Sequence, residues 1–99
     1  MARLVISPQA ELDAAAITAT LIDKAGSEVG RRFRRDVDDL FGRLTIFPRS
    51  GARRPGLGRN DRIGVIAPYV VIYDYKRDEV LIQRIIDGRR NITRRLVRG

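Results

Sequence analysis

Residues 69–75 read Tyr69-Val70-Val71-Ile72-Tyr73-Asp74-Tyr75; a Lys76-Arg77-Asp78 turn leads to Val80-Leu81-Ile82-Gln83-Arg84-Ile85-Ile86, and then to Asp87-Gly88-Arg89-Arg90. Two apolar, β-branched runs joined by a few polar residues predict a β-hairpin. Its second strand ends at a glycine followed at once by paired arginines. Toward the N-terminus, Arg62 to Ile66 reads as a further strand, set off from the hairpin by Ala67-Pro68. Proline cannot donate to a ladder, which puts Pro68 at a turn or an edge.

Ahead of these strands lies a different pattern. Val29, Phe33, Val37, Leu40, Phe41, Leu44 and Phe47 recur at three- and four-residue spacing, one apolar stripe of a helix opened by Ser27 and Glu28 and ended by Pro48. Arg32 with Asp36, Arg34 with Asp38 and Arg35 with Asp39 stand four apart on its polar face, each pair contributing about 0.2–0.5 kcal/mol. An earlier helix runs from Pro8 to about Ala25, capped by Ser7 and stopped by Gly26, so the two helices form an antiparallel hairpin. Gly30 is placed to let them approach closely. The first helix carries two stripes: Ala10, Ala14, Ile17 and Leu21 on one face, and Leu12, Ala15, Ala19 and Ile22 on the other. One stripe is enough to join a core, so two stripes mean a helix that is either sandwiched in the core or offers one face to a partner. Arg3 to Ser7 reads as an opening strand, its successive aliphatics suiting a central or doubly covered position. The expected fold is α+β: one domain, residues 1–99, with an antiparallel helical hairpin packed on one face of a mostly antiparallel four-stranded sheet in the order β-α-α-β-β-β.

Composition narrows the chemistry. The 99 residues carry a net charge of +8, with Lys24 and Lys76 the sole lysines among the basic residues. Such an arginine excess calls for an acidic partner, protein or nucleic acid. Cysteine and histidine are absent, which removes disulfides, the usual zinc sites and imidazole catalysis. No cofactor or metal is expected. Gly51, Gly56 and Gly58 fall in a loop from Pro48 to Asp61, but no glycine-lysine-serine/threonine run follows them, so the nucleotide-binding pattern is missing. Nothing approaches the roughly 20 apolar residues of a membrane span, and no signal-peptide pattern opens the chain; a cytoplasmic protein is expected.

Taken in order, these landmarks resemble the RelE/ParE superfamily of bacterial toxins, on its ParE-like branch. Ile6-Ser7-Pro8 with Ala10, Leu12 and Ile17 is similar to the family's opening strand and helix, and Phe47-Pro48-Arg49-Ser50-Gly51 to its proline, two residues, glycine loop. Arg62 resembles the basic residue that begins the next strand, Tyr69 to Tyr73 the aromatic-bracketed central strand, and Ile85 to Arg90 the terminal histidine, glycine, arginine, arginine motif, with Asp87 in place of histidine. The resemblance implies the toxin of a type II toxin–antitoxin pair that binds and inhibits DNA gyrase. It would be neutralised by an acidic ParD-like antitoxin in a hetero-oligomer. The alternative is a RelE-like, ribosome-dependent mRNA endoribonuclease. Against it, the tail after Arg90 lacks the Tyr, His or carboxylate that moves protons in that branch, and arginine is a poor general base. Whether the chain is an enzyme therefore stays open, and no catalytic residue is assigned. Leu12, Ala15, Ala19 and Ile22 are the candidate antitoxin contacts; Arg62, Arg84, Arg89 and Arg90 are the candidate target or phosphate contacts.

Overall fold

In the computed structural model, which describes residues 1–98, the order of elements is β1 (Arg3–Ile6), α1 (Pro8–Ala25), α2 (Ser27–Ile46), β2 (Ala52–Arg53), β3 (Asp61–Ile66), β4 (Tyr69–Lys76), β5 (Glu79–Asp87) and α3 (Arg94–Arg98). The sheet has five strands in the order β1-β5-β4-β3-β2, not four, because Ala52–Arg53 in the long loop pairs with Ile63 and Arg62. All pairings are antiparallel except β1 with β5.

Local chemistry sets the helices. The Ser7 hydroxyl oxygen accepts from the Ala10 N–H at 3.0 Å and its O–H donates to the Gln83 carbonyl at 2.8 Å, so the cap of α1 also fastens it to β5. Gly26, at φ 99°, takes the left-handed turn between the helices. Ile22 lies against Gly30, where a Cβ would come within 2.5 Å of its side chain; the expected close approach is real. Phe33, Val37, Leu40, Phe41 and Leu44 are buried as the stripe predicts, while Val29 and Phe47 at its two ends are exposed. Phe33 meets Tyr69 edge-on at 5.3 Å, joining α2 to β4. The expected four-apart pairs on α2 give way to a different arrangement, in which Arg31 and Arg35 both turn to Glu28.

Two expectations are corrected. β1 is an edge strand with Leu4 and Val5 exposed, not a central one, because its parallel pairing to β5 leaves its other side open. The helices cover one face of the sheet as expected, but the other face is covered too. Leu57, Ile72, Ile86 and Val97 form a second core with Ile63, Ile92 and Leu96 packed on it, so the basic tail folds back as α3. A bulge makes this possible. Ile72 pairs with Arg84 but Tyr73 pairs with Ile82, leaving Gln83 over; Val80 and Ile82 before it, and Ile85 after it, serve the helix side while Ile86 serves the second core.

Candidate functional site

The two stripes of α1 part company as the wheel predicts. Ala10 and Ala14 are buried, and Ile17 and Leu21 are packed against the main core. On the opposite side Ala15 and Ala19 are exposed, Leu12 is 63% exposed and Ile22 44%, although Ile22 also leans on Gly30. Ala15 also borders a cleft of about 320 Å³ between α1 and α2, with Glu11, Arg34 and Asp38 at its rim. The result is a run of small side chains flanked by two large apolar ones, facing water beside a cleft.

The four candidate arginines have different fates. Arg84 is committed to structure: its Nε and Nη2 donate to Asp13 at 2.8 and 3.1 Å, and its Nη1 to the Leu96 carbonyl at 2.7 Å. Asp13 also accepts from the Ile85 N–H at 2.9 Å, on the part of β5 that extends beyond the end of β1. Both side chains are largely buried, so Arg84 ties α1 to α3 and is not a free phosphate clamp. Arg62 holds a loop. Its Nη1 donates to the Arg49 and Gly51 carbonyls at 3.0 and 2.8 Å. The Tyr73 hydroxyl completes the hold, accepting from the Gly51 N–H at 2.9 Å and donating to the Pro48 carbonyl at 2.8 Å. Burial pushes the Tyr73 phenol above its usual range. A Cβ at Gly51 would sit 2.6 Å from that hydroxyl, which is why glycine closes the Pro48–Gly51 turn.

Arg89 and Arg90 are exposed after the Gly88 turn. Arg89 folds onto Asp87, whose carboxylate accepts from both its guanidinium and its backbone N–H. These bonds hold the Asp87 carboxyl down to about 2, too low for a useful general base near neutrality. Among the described residues no group of three or more His, Cys, Asp or Glu could hold a metal ion, and no helix is long and apolar enough to cross a membrane.

A family model described as the ParE toxin of the type II toxin–antitoxin system parDE matches residues 4–92. The chain belongs to the ParE toxin family. Toxin ParE3 of Caulobacter vibrioides is 37% identical over 60 residues, 61% of this chain and 60% of that relative. A solved structure of a chromosomal ParDE toxin–antitoxin system from P. aeruginosa shares the fold: TM-score 0.75 at 24% identity, covering 88% of this chain and 96% of that one.

Within this ParE-family toxin, the residues that reading the sequence missed are Asp13, Asp61 and Arg98. Asp13 sits among polar side-chain positions on the α1 wheel, where nothing in the spacing separates a buried ligand of Arg84 from a solvated carboxylate. Asp61 is the one buried charged residue among those described, and Gln83 and Arg98 both donate to it at 2.7 Å. For Arg89 and Arg90, exposure has a direct consequence. Replacing both with alanine is expected to change stability by less than about 0.5 kcal/mol while reducing growth inhibition. Thermal melting beside induction in a bacterial host checks this; unchanged toxicity at equal expression would make the pair incidental.

Proposed function

We propose that this toxin acts by binding: an acidic ParD-like antitoxin covers the outer face of α1, and the released toxin inhibits DNA gyrase in the cytoplasm. The observation that carries the antitoxin half is the exposed stripe of Leu12, Ala15, Ala19 and Ile22 on a helix whose opposite stripe is already buried. An amphipathic acidic segment that folds as it docks suits both this face and the net charge of +8. The gyrase half rests on family likeness. It is favoured over mRNA cleavage because Arg84 and Arg62 are engaged in holding the fold and Asp87 is locked to Arg89.

Substitution on the two faces tests the reading. With a cognate acidic antitoxin, the Ala15→Glu or Ala19→Glu toxin should fold but lose roughly 100-fold or more in affinity, since an unpaired carboxylate in an apolar interface costs about 3 kcal/mol. Ile17→Glu should fail to fold, because its side chain packs on the core. Retained antitoxin binding in a folded Ala19→Glu variant would move the interface elsewhere. For the target, induction should raise DNA-damage signalling before full-length messenger RNA is lost; the reverse order would favour the endoribonuclease.

A further inference from the structure

At the end of the sheet where β4 turns into β5, four cations converge: Arg49, Arg53, Lys76 and Arg77 line one open depression of about 440 Å³, whose wall also holds the loop-bound Arg62, with Asp78 the sole carboxylate in it. We infer that this depression binds the phosphodiester backbone of a nucleic-acid duplex.

The cluster is built, not incidental. The Arg49 guanidinium lies over the Tyr75 ring at 5.0 Å, and its backbone carbonyl is gripped by Arg62 at 3.0 Å, so the loop presents its charge from a fixed position. At the turn, Arg77 and Asp78 adopt φ of 52° and 60°, a left-handed pair that glycine or asparagine would occupy at less cost. An arginine held there projects its charge into the depression despite the backbone penalty. Guanidinium forks match phosphate oxygens, and a surplus of cations this dense needs an anionic ligand. Because Arg49 already covers one face of Tyr75, the site is poorly suited to stacking bases, which favours duplex backbone over single strands.

Its location separates this site from the antitoxin face. Ser7 starts α1 beside Ile82 and Gln83, Asp13 lies at Arg84 and Ile85, and Phe33 reaches Tyr69, which pairs with Asp87. α1 therefore runs toward the Tyr69–Asp87 end of the hairpin, where α2 begins, and α2 returns to bring Arg49 to the cations at the Lys76–Glu79 end. A partner seated on α1 leaves them open.

Fluorescence anisotropy with a labelled 20-base-pair DNA duplex, an RNA duplex of the same sequence and a glutamate 20-mer tests the inference on the full chain. About four phosphate contacts should weaken duplex binding roughly 100-fold between 50 and 200 mM salt. Lys76→Gln with Arg77→Gly should cost at least about tenfold and flatten the log–log salt slope by about two. Arg77→Gly relieves the left-handed strain, so the melting temperature should not fall. Arg32→Gln with Arg34→Gln removes the same charge from α2 and should change binding by no more than about twofold. Of the two duplexes, the tighter one identifies the nucleic acid. Equal losses in both double variants would reduce the effect to net charge, and glutamate binding as tight as the duplex would assign the cluster to an acidic protein; either overturns the site.

Discussion

Asp13→Ala is expected to destabilise the domain by about 3–5 kcal/mol, the cost of breaking a buried ion pair by removing one partner. The variant strands the largely buried Arg84 guanidinium and leaves the Ile85 N–H without its acceptor, so charge and backbone penalties fall on one place. For a domain of this size the melting temperature should drop by more than about 10 °C, read by circular dichroism. Arg84→Ala should fall in the same range, because it leaves the Asp13 carboxylate with the Ile85 N–H and a long 3.4 Å bond from Gln9 but no cation. Asp13→Asn should lie between parent and alanine, since an amide oxygen can still accept from Ile85 but no longer neutralises Arg84. A loss under about 1 kcal/mol for Asp13→Ala would mean that water replaces the pair.

Arg98→Ala is the second large effect. It removes the cation from Asp61, whose side chain is fully buried, and also frees the Gln83 and Leu57 oxygens. About 2–3 kcal/mol is expected, at or below the low end for a broken buried pair because the Arg98 side chain is itself 43% exposed. Pairing it with Asp61→Asn separates the causes. If the stranded charge dominates, the double variant should recover more than half of the loss relative to Arg98→Ala alone; additive losses in denaturant melts would instead show that packing of α3 on the second core matters more.

Much of the fold was legible. The hairpin, the strand before it, both long helices, the Ser7 cap and the Gly30 contact follow from periodicity and capping chemistry, which act within a few residues. The candidate site was legible in part. A helical wheel separates the two stripes of α1 without saying which points inward; Ala10 and Ala14 take the inside because the sheet lies there. The wheel offers no such help for Arg84, because its partners are 71 and 12 residues away.

By itself the sequence determined an arginine-rich α+β chain with two faces on its first helix and the succession of landmarks that marks a ParE-family toxin. The tertiary structure decided the rest: β1 at the edge in parallel with β5, a fifth strand from Ala52–Arg53, and the tail folded onto a second core. It also decided which arginines are structural ties and which stay at the surface. Arg-Arg-Leu-Val-Arg is too short and too charged to read as a helix on its own. It is ordered because the sheet offers Ile72 and Ile86 for its apolar side chains, and Asp61 and the Leu57 carbonyl for Arg98. Burial and charge pairing between distant residues are properties of the assembled layers, and no local pattern encodes them.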